Sequence, residues 1–478
     1  MEEKYAHIHA AVGFADLIRT TLGPRGMNKM VIDQSNNSIV LSNDGATIIG
    51  ALRGGNPIIN LFKELAQSHE LAIGDGTTSV IILAGQLLQN ALNLLDKGIH
   101  PTIIINGYNL SKIEALKFLS QNKETGETKK IIKTAFGTKI SKDIIEHLTN
   151  LIIGVEDYDK LKIYSMSQSD PFESKLFKGY VFSGFTMNER MKDEITGKVA
   201  FIDFPVSLKA EKFAVTNAEE LEKISKIDTE YKKKIIDKLG NLGVRWLFYT
   251  DTNPEFETYL TDKGITGVVI FQRENFDGIC KAVNAVVSSS LEQLTDRHLG
   301  EAHIKYEKQL TGNSGHIYIE GNTETLILKA PTNQFLEEMR RAVDDVISLL
   351  KHDTDCVIGA GAIEIEIANH LRKISQSVGG KEQLAIEKFA EAIESIPLIL
   401  AENCGLDAIE VLTALKTVHS QGKTDLGVDM ACGISNARER GILEPVLIKI
   451  HAINSAANVA SLILKLDKIL LGQMENNK

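Results

Sequence analysis

The stretch AIGDGTTSVIILAGQLL, residues 72–88, sets one acid between two glycines, follows it with two threonines and a serine, and then runs on apolar. VIILAGQLL has the apolar spacing of a buried helix. Packing asks nothing of Asp75 at the head of that helix. Glycines let backbone N–H groups approach an anion closely, and a helix N-terminus favours negative charge there. A carboxylate in the same place would repel a phosphate unless a divalent cation sits between the two. Asp75 therefore reads as a metal ligand, with Thr77, Thr78 and Ser79 as donors to phosphate oxygens.

Two neighbouring loops share this composition, LGPRGMNK at 22–29 and SNDGATI at 42–48. A single Asp-Gly before a helix is ordinarily a cap or a turn. Three glycine loops carrying acids, bases and hydroxyls so close together point instead to a nucleotide. No GxxxxGK[ST] occurs, so the P-loop class is excluded. GAGAIE at 359–364 opens like a dinucleotide fingerprint but carries Glu364 at the third glycine.

The 478 residues are too many for one hydrophobic core, so two or three domains are expected. A net charge of -10 argues against nucleic acid as a partner. No apolar run is read as reaching the roughly 18 residues that cross a bilayer. The acidic start MEEKYAHIHAAVGFADL lacks the pattern of a signal peptide. Together these point to a cytoplasmic protein without a membrane partner. Cys280, Cys356, Cys404 and Cys432 are widely spaced, so they read as reduced core thiols and not as a zinc site.

Helical patterns dominate both ends of the chain. MVID and SIVLS flank QSNN as a hairpin, and Pro101 suits the first turn of a helix. The middle differs: GKVAFIDFPVSL, VRWLFYTD and ITGVVIFQ are short β-rich runs, and GHIYIEGNTETLILKA reads as two strands around a Gly-Asn turn. An α/β domain inserted into a helical one is the simplest organisation. EYKKKIIDKLG reads as one solvated helix face. Phe256 and Tyr259, in PEFETYLTDKG, suit either an exposed contact surface or the core, given their helical spacing.

The ordered set LGPRGMNKMVID, NDGAT, GDGTTS, GAGAIEIE and GILEPVLIK resembles a group II chaperonin subunit over nearly the whole chain. Among eukaryotic members, the CCT (TRiC) paralogues, KGIHPTII, LAENCGL and GISNARERGILEPVLIKIHAI look most like the delta subunit. The resemblance implies a multidomain chaperonin fold. It has a mainly α-helical equatorial ATPase domain from both chain ends (1–130 and 358–478) and a small α/β intermediate domain (131–182 and 331–357). An inserted α/β apical substrate-binding domain covers 183–330.

It further implies ATP and Mg²⁺ as cofactors, with a double ring of paralogous subunits and unfolded clients such as actin and tubulin as partners. Leu22, Gly23 and Pro24 would lie against the nucleotide, and Asp75 would hold Mg²⁺ between Gly74 and Gly76. Thr77, Thr78 and Ser79 would bind phosphate. Asp44, beside Gly45, would orient the attacking water together with an acid of RRAVDDVISLL, Asp345 or its neighbour Asp344. Lys139 of TAFGTK would sense the terminal phosphate. Gly359, Ala360 and Gly361 would lie by the ribose, and Glu444 would contact its hydroxyls. The hairpin and the end LDKILLG would pair with ring neighbours. LKAPTNQ stands where the family has a glycine-containing hinge, and Ala360 interrupts the glycine run, so slow hydrolysis is expected. A scaffold subunit with little ATPase activity and a metabolic kinase are the competing readings.

Overall fold

The computed structural model describes residues 5–33, 38–52, 56–137, 140–184, 193–207, 218–251, 253–270, 273–308, 315–352 and 354–467. The chain divides into two compact units, one built from 1–153 with 337–478 and the other from 154–336.

The first unit opens with α1 (Ala6–Arg19) and the antiparallel pair β1 (Lys29–Asp33) and β2 (Ser38–Ser42), which match the expected hairpin. Then come α2 (Gly45–Ala51), α3 (Pro57–Ile73), α4 (Thr77–Asp96) and α5 (Pro101–Gln121). Asn56 and His100 cap α3 and α5 by accepting N–H groups, and each helix has proline in its first turn. The segment ends with β3 (Glu124–Thr125), α6 (Thr128–Phe136) and α7 (Lys142–Ile153). After the insertion, α11 (Asn333–Leu350), β11 (Asp355–Ile358), α12 (Ala362–Ser375), α13 (Glu382–Asn403) and α14 (Ala408–Ser420) follow. The chain then forms β12 (Leu426–Asp429), β13 (Gly433–Asn436), β14 (Leu443–Pro445) and α15 (Val446–Leu464).

α4 is the axis of this unit. Val80, Ile81, Leu83, Ala84, Leu87, Leu88 and Ala91 pack into one core with Phe14 and Ile18 of α1, Phe62 of α3, Phe389 of α13 and Ala456 of α15. Here one sequence-based expectation is corrected. Among the described residues α4 and α15, at 20 and 19 residues, are long and apolar enough to cross a bilayer. Both are apolar because helices surround them, α4 being 72% buried over its most apolar window.

The second unit comprises β4 (Lys162–Ser167), β5 (Lys175–Gly184), β6 (Glu194–Phe201), α8 (Ala218–Asn241), β7 (Val244–Tyr249), α9 (Pro254–Asp262), β8 (Thr266–Val269), α10 (Arg273–Val283), β9 (Gly300–Lys308) and β10 (Gly315–Ala330). The sheet runs β4-β10-β9-β6-β7-β8, with β5 also paired to β10. Alternate residues of β6 and β7 face opposite sides, as strand geometry requires. Val199, Phe201, Trp246 and Phe248 pack with Phe276 and Ile279 of α10, while Ala200, Leu247 and Tyr249 pack with Ile235 and Leu239 of α8 and Phe256 of α9. Both faces are covered, so the strands read as continuous apolar runs.

GHIYIEGNTETLILKA is one strand and not a hairpin. β10 pairs with β5 along both halves, and the register shifts between Glu320 and Glu324. The Gly-Asn pair therefore makes a bulge, with Gly321 pressed on the backbone of Ala282. The solvated face expected of α8 is also interrupted, since Lys232 is buried between Asp228 at 2.7 Å and Glu255 at 2.6 Å. Phe256 is core. Cys280, Cys356 and Cys404 are buried free thiols, but Cys432 is exposed.

Candidate functional site

The loop ahead of α4 is left-handed at both glycines, φ 85° at Gly74 and 88° at Gly76. Neither position has room for a side chain. A Cβ on Gly74 would come 2.5 Å from Ser348 Cβ of α11, and one on Gly76 would come 2.6 Å from Ile448 of α15. The glycines thus let α11 and α15 close on the loop, where Ile73, Leu349 and Ile448 form a small apolar cluster. Asp75 accepts the Gly76 N–H at 2.7 Å. Gly76, as N-cap, offers α4 no side-chain cap, and a helix N-terminus of this kind suits an anionic acceptor. Thr77 is buried, while Thr78 and Ser79 are partly exposed.

Asp44 ties the second loop to the first. It is the N-cap of α2, with Oδ2 accepting the Thr47 N–H at 2.7 Å and Oδ1 accepting the Thr77 hydroxyl at 3.1 Å. The Thr77 side chain is therefore engaged with Asp44. Gly45 lies so close that its Cβ would meet the Thr78 backbone nitrogen at 3.0 Å.

The third loop reaches the same region through α13. Leu22 packs with Ile82 of α4 and with Ile396 and Ile399 of α13. Gly23 lies on Leu400, while Asn403 donates to the Leu22 carbonyl at 2.8 Å. One turn earlier on α13, Pro397 lies 2.6 Å from where a Cβ of Gly361 would be. Gly361 is the N-cap of α12, and Ala360 before it has φ 56°, a left-handed conformation rare for a residue with a Cβ. Glu444 completes this corner. Its Oε1 accepts the Ala360 N–H at 3.2 Å and would lie 2.5 Å from a Cβ on Gly359.

The described residues thus gather the LGP, NDGAT, GDGTT and GAGA loops and Glu444 within one unit. Asp345 belongs to the same unit: its carbonyl oxygen is 3.7 Å from the Cβ position of Gly74. Asp344 is more exposed and faces Arg340 at 3.6 Å, one turn back along α11. Lys139 lies outside the described residues, as does the LKAEKFAV segment.

Three groups that sequence reasoning passed over support these loops. His69, 1% exposed, donates from Nε2 to the Asp75 carbonyl at 3.0 Å, and its Nδ1 has no partner among the described residues. Burial lowers its pKa to about 4, so the ring is neutral. Glu364 and Lys449 form a buried pair at 2.7 Å, and Lys449 also pairs with Glu444. Burial pushes the Glu364 carboxyl up, with Lys449 opposing. Burial disfavours the Lys449 charge, but the two carboxylates outweigh it and raise its pKa. A signal did exist: Lys449 is the one Lys, Arg, Asp or Glu in α15. A lone charge in an apolar helix needs a buried partner.

This donor set fits Mg-ATP. The glycine cradle and the open end of α4 suit phosphate oxygens, and carboxylates at Asp75 and Asp44 flank it. No cluster of three or more His, Cys, Asp or Glu able to hold a metal occurs among the described residues. Mg²⁺ takes one or two carboxylates and completes its shell with phosphate and water.

The sequence profile of the TCP-1/cpn60 chaperonin family matches residues 14–473. Thermosome subunit alpha of Thermoplasma acidophilum is 32% identical over 495 residues, covering 97% of this chain and 90% of that protein. The thermosome subunit of Methanocaldococcus jannaschii is 32% identical over 491 residues, covering 96% and 90%. Thermosome subunit alpha of Saccharolobus shibatae is 33% identical over 508 residues, covering 97% and 90%. These relatives are archaeal, and they lend nothing specific to the delta-type likeness. The chain belongs to the TCP-1/cpn60 chaperonin family as a group II subunit, an ATPase that uses Mg-ATP in protein folding.

Proposed function

We propose that this subunit hydrolyses ATP at the gathered loops and uses the reaction to close a double ring around unfolded proteins. One observation carries the reading. The Asp44 carboxylate is bonded to Thr77 at the head of α4, while α11, with Asp345, is docked on Gly74 of the same loop.

When bound, Mg-ATP supplies a terminal phosphoryl group whose charge the cation neutralises, ready for in-line attack by water. Asp75 is assigned to the cation. Thr78, Ser79 and the first N–H groups of α4 hold phosphate oxygens. Asp44 is fixed by its two hydrogen bonds, and each oxygen keeps a lone pair to accept from the attacking water. Asp345 is the second acceptor, preferred to Asp344 because it is the less exposed of the two and its backbone lies against the Gly74 loop. Lys139 is assigned to the terminal phosphate on the TAFGTK resemblance alone. Leu22, Gly23 and Pro24 lie by the nucleotide, and Gly359, Ala360, Gly361 and Glu444 hold the ribose.

α11 starts at Asn333 in the inserted unit and continues past Glu337 in the other. A movement of the insertion is therefore transmitted by the helix that carries Asp345, which ties hydrolysis to a change of shape. The insertion is assigned to client binding, within the equatorial, intermediate and apical division implied by the motifs. The finer reading is a cytosolic hetero-oligomer of delta-like type acting on actin and tubulin, and it is supported by GISNARERGILEPVLIKIHAI and the other delta-like stretches.

Native mass spectrometry of the purified particle tests assembly: a megadalton ring is expected, of mixed subunits on the finer reading. A small oligomer would overturn the ring, and a ring of one subunit type would overturn the finer reading. In that particle Asp345→Ala should lower ATP turnover by about 10²-fold or more, and Asp344→Ala by less than about threefold. Unchanged turnover in Asp345→Ala removes the role given to it.

A further inference from the structure

Glu444 is a short carboxylate arm whose aim the backbone alone does not set. The β11–β14 register puts Glu444 opposite Val357, two residues before the Gly359 turn. From there the side chain bends onto the turn, one oxygen on the Ala360 N–H and the other on Lys449. Gly359 permits this approach because it has no Cβ.

Lys449 is itself pinned. It is 9% exposed, near the start of α15, with Glu364 of α12 at 2.7 Å on its other side. Glu364 is 5% exposed, and its second oxygen has no hydrogen-bond partner among the described residues. Without the ammonium between them, two carboxylates would face each other in a region with little water, and Glu444 would turn toward solvent. A carboxylate accepts about four hydrogen bonds. With one taken on each oxygen, Glu444 keeps one free acceptor site on each, a match for two adjacent hydroxyls.

We propose that Lys449, backed by Glu364, is the positioning residue that holds Glu444 over the Gly359–Ala360 turn and thereby makes the site selective for nucleotides carrying a vicinal diol. The inference rests on the assignment of Glu444 to the ribose made above. It adds that sugar discrimination is set from the core, by an ion pair that does not touch the nucleotide.

The test compares ATP with 2′,3′-dideoxy-ATP by calorimetric titration of the assembled protein, alongside turnover at saturating ATP. Glu444→Gln is the reference for the sugar contact. Lys449→Met keeps the apolar stem and removes the charge. Glu364→Gln/Lys449→Met also removes the buried carboxylate, so that a fold lost to an unpaired charge is recovered. Both Lys449 variants should bind ATP about tenfold more weakly and dideoxy-ATP within about twofold of the parent, with kcat nearly unchanged. An equal loss for both nucleotides would show that Lys449 only supports the fold. Unchanged ATP affinity would also overturn the inference. If Glu444→Gln weakens ATP no more than dideoxy-ATP, the ribose assignment falls and the inference with it. If Glu444→Gln weakens ATP selectively and the double variant does not, the Lys449 inference alone falls.

Discussion

Ala360 is a departure from the expected glycine run that the backbone does not excuse. Its φ of 56° puts a methyl group in the left-handed region, where an L-residue costs about 1 kcal/mol. The neighbouring hairpin makes room for that methyl: Gly427 has no Cβ, and one placed there would come 2.8 Å from Ala360 Cβ. The Val428 N–H donates to the Ala360 carbonyl at 2.8 Å and holds the strained turn. Ala360→Gly should relieve the strain, offset by about 0.5–1 kcal/mol from the freer unfolded chain, so stability changes little. Ala360→Val should lose about 2 kcal/mol or more, because a β-branched residue fits the left-handed region worst and crowds Gly427. Urea midpoints with and without ATP check this, and a tolerated valine would show that φ is not held positive. The same scale explains why Asp44 was legible and its partner was not. Asp-Gly-Ala-Thr announces a capped turn, whereas the bond from Thr77 depends on a loop elsewhere in the chain.

At the scale of elements, β4 holds an unusual lysine. Lys162 Nζ sits 3.6 Å from the Tyr180 ring centroid and 3.3 Å from Asn275 Oδ1. Burial lowers its pKa from 10.5 to about 8. The unfolded chain therefore binds more protons between these two values, and stability rises with pH across that window. Below about 8 the lysine is charged in both states and the burial penalty is complete. Lys162→Met should raise the melting temperature at pH 7 and flatten its rise from pH 8 to 10.5, read by thermal scans. A lower melting temperature at pH 7 would mean that the ring contact outweighs the burial. β10 teaches a related lesson. Gly-Asn between two alternating runs is a sound hairpin signal, yet strand β5 runs beside both halves and turns the signal into a bulge.

At the scale of the whole molecule, the inserted unit 154–336 is one uninterrupted stretch of chain with its own sheet and two apolar layers. Such a stretch should fold alone. Trp246 is the only tryptophan of the chain and is fully buried in the layer under α10, so its fluorescence reports this unit. A fragment of residues 154–336 should show blue-shifted emission in water and one cooperative denaturant transition. Solvent-exposed emission in water would show that the unit needs the rest of the chain.

What the sequence by itself determined is local in origin. The glycine loops, the hairpin, the proline-started helices and the switch from helical to β-rich patterning depend on neighbours a few residues apart, and together they identified the family. Tertiary structure alone decided which residues share a charge or a face: Lys449 between Glu364 and Glu444, Asp44 with Thr77, α11 on the Gly74 loop, and α4 and α15 as core helices with the composition of membrane spans. The physical reason is range. Backbone propensity and periodicity act along the chain, whereas burial, ion pairing and close packing act across space between segments whose meeting no local pattern encodes.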